Sequence, residues 1–242
     1  MEISLDLGPI LGGQLAKVDG AMMKHFSSLL LDAIDRLGEH AAQAVKLKRP
    51  LTTCERIMAK PDTSLYLMWE KAETPGNSIL IGYIKVARKS LFITDRKQRS
   101  YQGKVLCILD FYVHFSKQRQ GIGQTIFQMM LNNEGAAAGG VAYDNPSAAC
   151  LAFLAKHYQL VDPIWQNTNM VIYPAFIDHI MQAKQGANEL CSSATNNPGK
   201  SKGKAGKDEE EDVMDASSAS RSQSAKQRKQ QLLSHQTKYL GF

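Results

Sequence analysis

The sequence predicts a single mixed α/β (α+β) domain over residues 1–184, followed by a low-complexity, disordered tail over residues 185–242. Three observations predict it. Helical-period stretches and strand-like runs alternate in the order helix, three or four strands, helix, strand, helix, strand, which suits a central sheet flanked by helices. Two glycines in "QRQGIG", residues 118–123, mark the junction between the strongest strand and a helix. Beyond residue 184 the chain is rich in Ser, Lys, Gly, Gln and acid and poor in large apolar residues, so it cannot bury enough surface to offset its ordering entropy.

The elements follow in order. "GAMMKHFSSLLLDAIDRLGEHAAQAVKL" repeats Met23, Phe26, Leu29, Leu30, Ile34 and Leu37 at helical spacing, and Pro50 ends that helix. "TSLYLMWEKA" alternates as a strand, and "PGN" at 75–77 makes a turn. "SILIGYIKVARKSLFITD" is rich in β-branched and aromatic residues and predicts two strands or one long bent one. "VLCILDFYVHF" is the strongest strand. "GQTIFQMMLNNEG" is a helix with Ile126, Phe127, Met130 and Leu131 on one face, closed by Gly135. "GGVAYD" is a short strand. "NPSAACLAFLAKHY" is a helix with Asn145 as N-cap and Pro146 at its first position. "PIWQNTNMVIYPAF" is a final strand region. In the tail, an amphipathic helix around Gln230–Tyr239 is set against a plainly solvated segment.

Charge and composition limit the function. The net charge is +6, and the tail's nine basic and seven acidic residues leave the first 184 residues at +4. Both parts therefore favour an acidic partner or a polyanionic cofactor. No run approaches the roughly 20 apolar residues of a membrane span. The start, "MEISLDLGPI", lacks the basic and apolar regions of a signal peptide, which predicts a soluble intracellular protein. Cys54, Cys107, Cys150 and Cys191 form no CxxC pair, and the histidines show no HExxH, so neither zinc nor a disulfide framework is expected and each cysteine reads as a small apolar residue. No RNP-like or helix-turn-helix pattern supports nucleic acid as a partner.

The glycines sit where backbone N–H groups at a helix start lack partners. Such a site takes an anion, glycine lets it approach, and Arg119 adds a positive charge. GxxxxGK[ST] is absent, and "GIGQTI" has isoleucine where a dinucleotide fingerprint needs a third glycine. A phosphate-bearing cofactor and a plain strand-to-helix turn both fit the hexapeptide.

"QRQGIG" also matches Q/R-x-x-G-x-G/A in full, and it resembles the pyrophosphate loop of GNAT acetyltransferases. "LCILDFYVH", "QRQGIG", "IFQMML", "DNPS" and "LAFLAKHYQL" resemble the α-tubulin N-acetyltransferase family in order and spacing, as do "IGYIKV" with "LF" six residues later and "NMVIYPAF". The resemblance covers roughly residues 1–180 and is densest from Val105 to Phe176. It implies a GNAT-like mixed central sheet and a lysine acetyltransferase that uses acetyl-CoA, without metal, on a luminal lysine of α-tubulin in microtubules. The implied setting is the cytoplasm and cytoskeleton, axoneme or flagellum included. The implied enzyme is a monomer with neither nucleic acid nor membrane as partner. A catalytically weak, microtubule-binding GNAT-like domain is the alternative.

The resemblance also implies site residues. Its catalytic cysteine and aspartate fall on Cys107 and Asp144. Its cofactor stretches fall on Phe111, Tyr112, Val113, His114, Phe115, Ser116, Lys117, Gln118, Arg119, Gln120, Gly121, Ile122, Gly123 and Gln124, and on Ser147, Ala148, Ala149, Cys150, Leu151, Ala152, Phe153, Leu154, Ala155 and Lys156. A family glutamine important for activity, at the end of a segment like "LTTCERIM", falls on Met58 by ungapped comparison.

On their own chemistry these residues keep plainer alternatives. Strict alternation along "LCILDFYVH" puts Cys107, Leu109, Phe111 and Val113 on one face and Ile108, Asp110 and Tyr112 on the other. Cys107 then reads as a core cysteine, unless nearby positive charge makes a thiolate. As a catalytic group it would take a proton or an acetyl group. Asp144 suits a helix start, or serves as base or holder of a lysine ammonium. Lys117, Gln118 and Arg119 face either the coenzyme phosphates or solvent. Lys85, Arg88, Lys89, Arg96, Lys97 and Arg99 form a basic stretch, read as solvated or as meeting acidic tubulin.

Overall fold

The computed structural model describes residues 1–178, 180 and 181; the tail, with the helix considered for Gln230–Tyr239, and Cys191 lie outside the described residues. The chain opens with elements the periodicity did not reveal: β1 (Glu2–Ile3), α1 (Gly8–Leu11), β2 (Leu15–Asp19) and α2 (Gly20–Met23). Each is five residues or shorter, too short to show a period. The long helix expected from residue 20 is broken. Ser27 caps α3 (Ser28–Ala44) by accepting the Leu30 N–H, so the periodicity restarts there. Leu30, Ile34 and Leu37 are buried, but Leu29 is exposed, and the helix ends at Ala44 rather than running to Pro50. After α4 (Cys54–Met58) come β3 (Thr63–Lys71), β4 (Ser78–Thr94) and β5 (Ser100–Val113). The segment from 78 to 94 is one long strand, entered through the turn at Gly76. A 3₁₀ turn (Phe115–Lys117) leads to α5 (Ile122–Glu134), then β6 (Ala142–Asp144) and α6 (Ala148–Tyr158). The final strand region splits into β7 (Ile164–Trp165) and β8 (Met170–Ile172), and helical turns follow from 174.

The eight strands form one mixed sheet in the order β2-β3-β4-β5-β6-β8-β7, with β1 paired to β4. Its pairings are antiparallel except β5 with β6. Two faces are buried. One carries Tyr66, Ile84, Val86, Leu106 and Ile108 under α5 and α6. The other carries Leu65, Leu67, Leu80 and Tyr83 under α3 and α4, and continues through Val105, Cys107 and Ala142 to Phe176 and Ile177.

One irregularity positions the site. Lys85 pairs with Asp110 and Val86 with Ile108, so Leu109 is an extra residue, a β-bulge. Strict alternation therefore fails along β5. Phe111 and Val113 pack with Ile108 in the α5–α6 core, while Tyr112 packs on the α3 side. Asp110 shares the Cys107 face instead of opposing it.

Candidate functional site

Strands β5 and β6 pair at only two positions, Cys107↔Ala142 and Ile108↔Tyr143. The bulge at Leu109 follows at once, and beyond it β5 and β6 have no further pairing. A gap opens there, and each strand then leads into a helix, β5 through the glycine loop into α5 and β6 through residues 145–147 into α6.

The α5 terminus is built for an anion. Gly121 is its N-cap at φ 80°, with no capping side chain. The Thr125 N–H is the donor that closes on the Gly121 carbonyl, which leaves the Ile122, Gly123 and Gln124 N–H groups without intrahelical partners. A Cβ built on Gly121 would meet nothing within 4 Å, so there is open space beside these donors. At Gly123 a Cβ would stand 3.3 Å from the Phe111 ring, which holds the helix start close against β5. Gln118 fixes the loop by donating to the Val113 carbonyl, and Gln120 donates to the Ser116 carbonyl. Arg119, at φ 63°, is exposed and makes no ion pair among the described residues. Lys117 is bound to Glu70, so the loop's own free cation is Arg119 rather than both. These donors and this space fit a diphosphate.

The second stretch is capped differently from the sequence expectation. Ser147, not Asn145, caps α6, accepting the Cys150 N–H at 3.1 Å. Asn145 takes φ 44° and donates its N–H to the Asn169 carbonyl, and Pro146 precedes the cap. The left-handed turn at Asn145 delays the helix by two residues, to Ala148. Phe153 of this helix packs edge-on to Phe111 and Phe127, closing one side of the gap.

Cys107 and Asp144 come together on neighbouring strands. Asp144 lies two residues beyond Ala142, the partner of Cys107, and so about 7 Å further along the same face. Lys89 donates to Asp144 at 3.4 Å, and both side chains are more than a third exposed. Cys107 is fully buried. Burial pushes its thiol up to about 11; the Lys89 ammonium pulls it down and the Asp144 carboxylate pushes it up. At neutral pH Cys107 therefore holds its proton, and the positive charge a thiolate requires is outweighed by desolvation.

Beside this pair stands a cluster that the sequence reasoning missed. The Thr52 hydroxyl (2.6 Å) and the Tyr83 hydroxyl (2.7 Å) both donate to one oxygen of Asp110. Lys85 faces Asp110 across the strand pair and donates to the Leu51 carbonyl. A charged residue inside the most apolar strand was the available signal, but strict alternation turned it to the wrong face. In the basic stretch Arg88, Arg96, Lys97 and Arg99 are exposed, as a solvated stripe has them. Lys85 is buried, and Arg88, Lys89, Arg96 and Arg99 each pair with a carboxylate: Glu134, Asp144, Asp162 and Asp95. Met58 packs on the apolar core under α3, with its Cα close beneath Gly20. It joins a different cluster from Cys107.

Comparison with known proteins is consistent with this arrangement. A family model described as GNAT acetyltransferase, Mec-17, matches residues 5–204. An alpha-tubulin N-acetyltransferase 1 of Caenorhabditis elegans is 44% identical over 174 residues, 72% of this chain and 66% of that protein. An alpha-tubulin N-acetyltransferase 2 of Caenorhabditis briggsae is 34% identical over 182 residues, 73% and 68% of the two chains. An alpha-tubulin N-acetyltransferase of Anopheles gambiae is 33% identical over 188 residues, 73% of this chain but 38% of that protein. The matched region thus spans about two thirds of the first two relatives and well under half of the third. With the glycine loop, Cys107 and Asp144 all inside the matched residues, the chain belongs to the Mec-17 family of GNAT acetyltransferases.

Proposed function

We propose that this chain transfers the acetyl group of acetyl-CoA to a lysine side chain of α-tubulin, the lysine facing the lumen of the microtubule. The observation that carries the reading is the gap between β5 and β6, which has an anion-binding helix start at one end and Asp144 beside Cys107 at the other. Bound coenzyme would supply a thioester: the amine nitrogen bonds to its carbonyl carbon, the carbon–sulfur bond breaks, and the coenzyme leaves as the free thiol, its sulfur ending with the proton the amine gives up. The chain's own residues do the rest. The Ile122, Gly123 and Gln124 N–H groups hold the diphosphate, with Arg119 as its counter-charge. A lysine ammonium must lose a proton before it can attack, because its ordinary pKa is about 10.4. Asp144 stands at a strand end, exposed enough to exchange Lys89 for the substrate amine and take that proton. Cys107 lies buried under the same face as a neutral thiol.

The same reading has the enzyme acting as a monomer on the cytoskeleton, in the cytoplasm and in the axoneme, through a domain of residues 1–184, with neither nucleic acid nor membrane as partner. A catalytically weak microtubule binder is the less favoured reading, since binding alone needs neither the glycine loop nor a carboxylate at the strand end. The test is acetyl transfer from labelled acetyl-CoA to polymerised tubulin. Cys107→Ala and Asp144→Asn are expected to lower turnover roughly 10²-fold or more, with coenzyme affinity by calorimetry little changed. A parent protein that labels no tubulin overturns the reading. Variants that match the parent return both residues to structural roles.

A further inference from the structure

We propose that Asp110 is a second carboxylate of the acceptor site, set to receive the ammonium end of the incoming lysine alongside Asp144. The inference rests on the acetyl-transfer reading above and deepens it.

The first argument is position. Asp110 follows the bulge at Leu109, so it stands on the Cys107 face just beyond the point where β5 and β6 cease to pair. Its cross-strand partner is Lys85 of β4, and its side chain is partly exposed rather than closed in the core.

The second argument is how it is held. One oxygen, Oδ2, accepts two short O–H bonds, from Thr52 and Tyr83, and both donors are fully buried. Thr52 cannot move away, because the backbone of α3 lies against it at Gly38, where a Cβ would collide with the Thr52 carbonyl. Two hydroxyl donors on one oxygen hold the carboxylate in one orientation. The other oxygen, Oδ1, has no hydrogen-bond donor among the described residues. A carboxylate locked through one oxygen with the other left over is arranged to accept from something further.

The third argument is charge. On this face Asp110 lies opposite Lys85, and Asp144 is bridged to Lys89. Lys85 is drawn away by its bond to the Leu51 carbonyl. Asp110 is thus left with a cation nearby but no salt bridge within 4 Å among the described residues. An ammonium brought in by a substrate would supply one.

Asp110→Asn tests this, because an amide oxygen can still accept from Thr52 and Tyr83 while the charge is gone. The expected result is a KM for α-tubulin raised roughly tenfold or more, the scale of one lost charge-assisted hydrogen bond. Acetyl-CoA affinity and the thermal midpoint should stay near the parent's. Tyr83→Phe is the second variant. It keeps the carboxylate and removes one of the two donors that orient it, so KM for α-tubulin should rise roughly threefold, less than in Asp110→Asn, with acetyl-CoA affinity unchanged. An unchanged KM in folded Asp110→Asn overturns the inference, as does an activity loss that tracks the melt alone. If Asp110→Asn fails to fold, an unchanged KM for α-tubulin in folded Tyr83→Phe overturns it. A parent inactive on tubulin fails the acetyl-transfer reading itself; an active parent with indifferent variants fails only the role of Asp110.

Discussion

Lysine is a costly residue to place where Lys85 stands, 7% exposed between Asp110, Arg56, Asp144 and Lys60. Burial lowers its pKa to about 8; Asp110 and Asp144 oppose that fall, and Arg56 and Lys60 add to it. The sign for stability follows. Below pH 8 the amine is protonated in both the folded and the unfolded chain, and its contribution does not vary. Between about 8 and 10.5 the unfolded chain holds a proton that the folded chain has released, so stability rises with pH. Lys85→Met should abolish this rise. In urea melts at pH 7.5, 8.5 and 9, the parent should gain on the variant by up to about 1 kcal/mol per pH unit above 8. Cys107 runs the other way, since its folded pKa is raised, but only above the ordinary thiol value of 9. A constant difference between parent and variant across this range would show that Lys85 stays charged in the fold.

Among the elements, α5 is the one most nearly dictated by sequence. Its apolar face, Ile126, Phe127, Met130 and Leu131, is buried as its spacing requires, and Gly135 closes it at φ 60°. What clamps its C-terminal end was not legible. Glu134 accepts from Lys17 of β2 (2.7 Å), Tyr66 of β3 (2.9 Å) and Arg88 of β4 (3.1 Å). Glu134→Ala should therefore lower stability by roughly 1–3 kcal/mol, seen as a reduced urea midpoint, with Tyr66→Phe costing less. Equal melts for Glu134→Ala and the parent would mean that the three bonds exchange freely with water. The partners lie up to 117 residues away in the chain, and periodicity carries no such information. The same limit hid the Lys89–Asp144 and Asp110–Thr52 pairs, separated by 55 and 58 residues. Local patterns failed where one residue breaks the period: Leu109 in β5, Asn145 before α6 and Ser27 before α3. The strand-to-helix junction at the glycine pair, by contrast, is a local feature and stands in the sequence itself, whereas Asp144 stands out there only through the family resemblance.

At the scale of the whole molecule, the described core closes on itself. Phe176, Ile177 and Ile180 complete the cluster that holds Cys107, Ala142 and Ile172. Residues 1–184 alone should fold cooperatively and acetylate a tubulin peptide as the full chain does. Weaker affinity for whole microtubules is compatible with this, because the removed segment carries nine basic residues. A shortened chain that aggregates, or that folds and leaves the peptide unmodified, would contradict it. The bulge in β5 has a consequence for length. Removing Leu109 would leave Cys107, Asp110 and Tyr112 on one face and Ile108, Phe111 and Val113 on the other, since plain alternation of the shortened strand assigns the same sides. Both cores would keep their buried side chains, with only the partly buried Leu109 lost from the edge of the Cys107 cluster. What would go is the bend that ends the pairing with β6. The loss of one codon would thus yield a protein with its interior intact and its cleft zipped shut, so that what this strand inherits most strictly is a count of residues rather than a set of them.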